Sequence, residues 1–209
     1  MFSLQTIFGK GDKFYGLLEA SAESARSSTQ ALNELLATSA PQLSLAKFKE
    51  ARRREKDLSA QISAELVNTF VTVLEREDIE ALNSALYRIP KSVEKFAERY
   101  VLGKARIGDV DFTSRAMMLE EASKVLEQMV GLLRKGMDLD KIKKLNDELQ
   151  TIEGEADRQM LELYRDAYVN ESDPMRYLVK MDLFEILEKA IDRCRDAGNV
   201  VYHIILKNS

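Results

Sequence analysis

The sequence is poor in the residues that build covalent and metal frameworks. It has one cysteine, Cys194, and one histidine, His203, in 209 residues. A lone cysteine forms no intrachain disulfide, which fits a reducing, cytoplasmic setting. A lone histidine excludes most zinc and haem sites, and the paired Glu-x-x-His arrangement of ferritin-like di-iron bundles. Nine Gly, three Pro and no Trp argue against an all-β fold, which needs a turn every ~8–12 residues. No run approaches the ~20 apolar residues of a membrane span. Residues 1–10 lack the basic start and long apolar run of a secretory signal, so a peripheral relation to a membrane is the most that is expected. Gly-rich phosphate loops, GxSxG elbows and Cys/His clusters are also missing, so no catalytic set assembles and no enzyme is expected. Charge of one sign is missing too: 31 Lys+Arg face 35 Asp+Glu, a net −4. Such a chain is a poor default binder of nucleic acid.

What is present is helical periodicity. Apolar residues at three-four spacing predict a first helix over 12–37, carried by Phe14, Leu17, Leu18, Leu32 and Leu35, with Thr38–Pro41 as its break. A second is expected over 43–75, with Phe48, Leu58, Ile62, Leu66 and Phe70 in its stripe. A third is expected from an Asp78 N-cap, with Pro90 inside it. The second and third are expected to run partly together through 75–78. Gly103 and Gly108 mark the mid-chain boundary. A fourth is expected over 112–135 with Gly136 as its cap, a fifth over 138–170, and a sixth from Pro174 to about 206, capped by the preceding Ser172–Asp173. The fold class read from this is all-α, with six long antiparallel helices. Met117, Met118, Met129 and Cys194 are expected in the core. Arg52–Arg53–Arg54 reads as a solvated, salt-bridged face, and His203 as exposed or capping.

Helices one to three and four to six read as two copies of one unit, 1–107 and 108–209. An offset of 101 residues places Leu82 on Leu183, Leu86 on Leu187, and Ile62 on Leu163. The polar positions differ in sign. Glu153, Asp157, Glu188, Asp192 and Asp196 fall on Arg52, Lys56, Tyr87, Lys91 and Lys95. On the sixth helix Glu185, Glu188, Asp192 and Asp196 share an arc of roughly 80° at ~100° per residue. Glu153 and Asp157 sit four apart on the fifth. Like charges at that spacing repel by about 0.2–0.5 kcal/mol per pair, so the cluster invites a cation. Carboxylate-only ligands favour Mg, Ca, Mn or an oxygen-bound iron. A merely solvated face is the competing reading.

At these residues the chain resembles the PhoU-like proteins, in the branch encoded with low-affinity, Pit-type phosphate transporters. The segments that carry the resemblance are Phe14-Tyr15-Gly16-Leu17-Leu18-Glu19, Phe70-Val71-Thr72 before Arg76-Glu77-Asp78-Ile79, Ile152-Glu153-Gly154-Glu155-Ala156-Asp157, the stretch from Leu187 to Cys194, and Asn199-Val200-Val201-Tyr202. The resemblance implies two tandem three-helix bundles. It implies a non-enzymatic accessory or regulatory protein of inorganic phosphate transport, docking on a membrane transporter or a regulatory protein. The family carries Glu/Asp-x-x-x-Asp motifs that hold surface metal clusters in some members. Carried over, Glu153 and Asp157 match one motif and Glu188, Asp192 and Asp196 another, as ligands for a divalent metal or iron. The first-half copy departs, with Arg52, Lys56, Tyr87 and Lys91 where acids are expected, and Thr72-Val73 where the family has Thr-Pro. That basic surface is open to an anion or an acidic partner. Two other classes stay open: a carboxylate-metal-dependent enzyme or metal-storage protein, and a homo-oligomeric scaffold that pairs acidic and basic faces between subunits.

Overall fold

Each apolar stripe forms a helix because it can be buried only against another stripe. The computed structural model describes residues 4–38, 44–108 and 110–209, with side chains from residue 12 onward. Six helices and no strand are found among the described residues: α1 (Leu4–Ala37), α2 (Ala46–Asn68), α3 (Arg76–Ile107), α4 (Thr113–Leu132), α5 (Leu139–Asn170) and α6 (Pro174–Lys207). No helix among the described residues is long and apolar enough to cross a membrane. The break expected at Thr38–Pro41 lies, beyond Thr38, outside the described residues, as does the expected start of the second helix at residue 43.

The punctuation explains the boundaries. Asp173 caps α6 by accepting from the Met175 and Arg176 amides at 2.9 and 3.2 Å, and Pro174 opens the helix. Asp138 caps α5 by accepting from Lys141 N at 3.0 Å. Such caps satisfy amides that a first turn otherwise leaves unpaired. The α2–α3 junction departs from expectation. α2 ends at Asn68, so Phe70 is not on its stripe and stands 93% exposed. The Arg76 guanidinium donates to the Leu66 and Thr69 carbonyls at 2.6–3.1 Å, which replaces helix continuation at that end. The two helices are therefore separate. Glu75, not Asp78, occupies the N-cap of α3, with no side-chain cap bond. Asp78 lies in the first turn of α3 and pairs with Lys207 at 2.9 Å. α4 ends at Leu132 rather than 135. A turn follows, in which Met137 N donates to Leu132 O at 3.2 Å and Gly136 takes a φ of 107°.

α1, α2 and α3 pack on one another, as do α4, α5 and α6. α1 also packs on α4, and α3 on α6. So α1, α3, α6 and α4 close a four-helix ring, with α2 outside α1 and α3, and α5 outside α4 and α6. Helices adjacent in sequence within each half run antiparallel, as do the α1–α4 and α3–α6 pairs, whereas α1 with α3 and α4 with α6 run parallel. Along the α3–α6 seam Asp78 meets Lys207, Arg99 pairs with Asp182, and Gly103 meets Val179. Along α1–α4, Arg134 meets Asp12 at 2.7 Å, Arg26 meets Glu127 at 2.6 Å, and the buried Thr29 and Ser123 hydroxyls share a 2.8 Å bond. One apolar core runs through all six helices, with Phe14, Leu86 and Phe96 from the first half and Phe112, Leu126 and Leu187 from the second. Full burial of each large side chain is worth about 1.5–3 kcal/mol. Close approach needs glycine at Gly103, where a Cβ would lie 2.7 Å from Val179 Cγ1. Met117 departs from the expected core and is 61% exposed, whereas Met129 is fully buried.

Candidate functional site

The five acids expected to act together all lie on the outer surface of α5 and α6. Glu153 and Asp192 are half-buried and Asp157 is exposed. One carboxylate oxygen from each of these three lies within 4.8 Å of the others. Antiparallel packing of α5 on α6 produces this, since Gln150 donates to Asn199 at 3.0 Å below the cluster and Tyr164 donates to Glu185 at 2.7 Å above it. That bond to a carboxylate, with some burial, pushes the Tyr164 phenol up to about 12.

Arg195 sits among the acids. Its Nη2 is 3.5 Å from Glu153, 3.4 Å from Asp192 and 3.5 Å from Asp196. Asp196 also pairs with Arg193 at 3.5 Å, so it belongs to the arginine side of the cluster. Glu188 is outside the group of three but feels its field. Partial burial, then repulsion from Asp192 and Asp157, raise the Glu188 carboxyl above its ordinary range. Glu153 and Asp192 are raised for the same two reasons, with Arg195 opposing. Three oxygen donors from two rigid helices suit a hard cation. For one to enter, Arg195 must swing away.

The equivalent face of the first half has opposite chemistry. Arg52 is not a solvated residue; it is 6% exposed. Its Nη2 donates to the Tyr87 hydroxyl at 2.9 Å and its Nη1 to the Tyr87 carbonyl at 3.3 Å. The guanidinium carbon lies 4.4 Å from the centre of the Tyr87 ring, and Nε lies 3.5 Å from Glu94. The hydrogen bond from Arg52, then the charges of Arg52, Lys56 and Lys91, hold the Tyr87 phenol below its ordinary value. Lys56, Lys91 and Lys95 are exposed around it. Arg54 does fit the expected salt-bridged face and meets Glu23 at 2.9 Å.

Glu55 was not expected as a special residue. It is fully buried, and accepts from Ser21 Oγ at 2.5 Å, with its second oxygen unpartnered. Burial raises its carboxyl. Its cue was the spacing Phe48, Arg52, Glu55, Leu58, Ile62, a buried stripe interrupted by charge. Cys194 is buried, and burial pushes its thiol up, which makes it inert as a nucleophile. His203 is exposed beside Tyr202.

Comparison with known proteins bears on the fold. No protein-family model matches the chain. It is 22% identical over 201 residues to the "Putative pit accessory protein" of Rhizobium meliloti (strain 1021), covering 94% of each chain. It is 25% identical over 145 residues to the UPF0111 protein YkaA of Bacillus subtilis (strain 168), covering 69% of this chain and 70% of that one. Among solved structures, a PhoU-like protein from Shewanella oneidensis MR-1 superposes with a TM-score of 0.75 at 16% identity, covering 93% of this chain and 99% of the other. PhoU from Pseudomonas aeruginosa gives a TM-score of 0.64 at 15% identity, covering 99% and 98%. The chain thus has the PhoU-like fold of tandem helical bundles, and along almost its whole length it is similar to a protein that bears the Pit accessory name.

Proposed function

We propose that this chain is a non-enzymatic accessory of inorganic phosphate transport that works by docking on a membrane permease. The observation that carries this reading is the similarity over 94% of both chains to the Rhizobium meliloti protein, on a PhoU-like fold. The surface is in keeping with it. Its grouped side chains are ion pairs and carboxylates on helix faces, a set suited to contact rather than to bond making. The test is crosslinking in the native host followed by identification of the captured partner. An inorganic phosphate permease is expected, and recovery of soluble metabolic enzymes alone would sink the reading.

A second element of the proposal is a surface cation on α5–α6, favoured by the convergence of Glu153, Asp157 and Asp192. Glu188 and Asp196 flank it as outer acids. A divalent metal or oxygen-bound iron there would relieve the repulsion that raises Glu153 and Asp192, and would stiffen the docking face. Protein purified without chelator should carry stoichiometric metal that Asp157→Asn and Asp192→Asn remove. Metal-free wild-type protein after exposure to Mg, Mn and Fe(II) would remove this element and leave the transport reading standing.

A further inference from the structure

We infer that the groove between α4 and α5 is the seat of the transporter, and that its occupant is a basic amphipathic helix from a cytoplasmic loop of the permease. This rests on the docking role proposed above, and names the surface and the kind of segment that serve it. One wall of the groove is α5, the helix that also carries Glu153 and Asp157.

α4 is apolar on two sides. Ala116, Leu119, Ala122 and Leu126 are buried in the core. Met117 is exposed and Met118 half-buried on the other side. With Ile152 of α5 they line an open groove of about 740 Å³. At its exposure Met117 contributes little to the core, so its apolar surface is free for a partner. An unbranched thioether side chain adapts to the apolar surface pressed on it, which suits methionine to binding faces. The stretch of α4 along the groove, Thr113 to Glu121, spans about 12 Å at ~1.5 Å per residue, so a partner helix lies against it over about two turns.

The rim is acidic. Asp111 precedes the first turn of α4, Glu121 stands on the α4 side and Glu155 on the α5 side, and among the described residues no basic side chain lines the groove. Asp111 accepts from the Thr113 amide at 2.8 Å, which fixes its carboxylate there. Lys124 and Arg158 approach Glu121 and Glu155 from outside the groove, each in an i,i+3 pair on its own helix. Pairs of this kind at the surface hold weakly and yield to a better-placed cation. The wider field has the same sign: α4 and α5 together carry 7 basic and 11 acidic residues, a net −4. This face repels an anionic leaflet and attracts a cationic segment. The fitting occupant therefore has an apolar stripe for Met117, Met118 and Ile152, flanked by Lys or Arg for the three acids, which is recognition of a helix in a groove. Cytoplasmic loops of membrane proteins carry an excess of Lys and Arg, so a permease presents this chemistry to a partner on that side of the membrane.

The test has two arms, both on the full chain. In the first, a labelled synthetic peptide of about 14 residues, built of leucine and lysine with the leucines on one helix face, is titrated with the protein. Glu121→Lys/Glu155→Lys and Met117→Ser are each expected to weaken its binding about tenfold or more, with helix content and thermal unfolding unchanged. Glu77→Lys/Glu80→Lys, the same change of charge at exposed positions of α3, is expected to bind as wild type does. Equal weakening by both charge reversals would show attraction to net charge alone and overturn the proposal, as would binding that no groove variant alters. In the second arm, photoreactive p-benzoylphenylalanine replaces Met117 in the groove, or the exposed Val67 or Leu102 away from it, in the native host, and the captured molecule is identified. The permease is expected from position 117, joined through a Lys/Arg-rich cytoplasmic segment, with capture lost in the Glu121→Lys/Glu155→Lys background. A permease captured from position 67 or 102 while position 117 yields nothing, a second copy of this chain or lipid would overturn this inference and leave the transport reading standing. A permease captured from no position would sink both.

Discussion

At the scale of single residues, Glu55 and Arg52 show how charge can hide a core position. Both lie on the inward stripe of α2, yet the run Arg52-Arg53-Arg54-Glu55-Lys56 looks like surface. Sequence patterning weighs residue type above spacing, and here spacing was the better guide. Glu55 is met from α1 by Ser21 and Ser24 and along α2 by Arg52 and Arg54. Burial dominates and raises its carboxyl, so the fold favours the neutral acid. The stability this confers is present below the ordinary carboxylate range and is lost as pH rises through the raised value. Glu55→Gln, which cannot ionise, should melt at a higher temperature than wild type near pH 8, with the gap closing toward pH 4. A gap of constant size across that range would show that ionisation is not its cause. Arg52→Ala strips partners from Tyr87 and Glu94 and should cost about 1–3 kcal/mol in urea unfolding. Arg53→Ala, on the exposed side of the same turn, should stay within about 0.5 kcal/mol. The five acids were legible from the repeat offset. Which three of them converge was not, because that depends on the stagger of α5 against α6.

At the scale of elements, aspartate and proline signals placed the starts of α5 and α6 within a residue, while the end of α2 was misread. Phe70 continued the three-four pattern, but Arg76 reaches back across the junction and closes the last carbonyls of α2, a long-range bond that periodicity cannot register. The Asp173 cap is open to direct test. Asp173→Ala should lower stability by about 1 kcal/mol and leave the other end of α6 as protected as before. The helices also differ in support. α2 and α5 each pack on two others, whereas α1, α3, α4 and α6 each pack on three. Local opening follows contact density, so native-state hydrogen exchange should release α2 and α5 ahead of the ring. Uniform protection across all six, or a ring helix that opens first, would contradict this.

At the scale of the whole molecule, the tandem organisation was visible in the sequence, since matched apolar stripes recur at one offset. The closure of the ring through α1–α4 and α3–α6 was not. A stripe shows that a helix has a buried face and leaves open which helix covers it. The seams rest on small details, among them the Thr29–Ser123 hydroxyl pair and the missing side chain at Gly103. The unequal charge of the two halves has an effect on motion. Residues 1–107 carry 16 basic and 14 acidic residues, a net +2, and residues 108–209 carry 15 and 21, a net −6, so the charge is unevenly divided between the two halves. Near an anionic lipid leaflet the molecule feels a torque as well as a force. A particle with this division of charge, brought to such a surface, is turned first half inward before any specific contact is made.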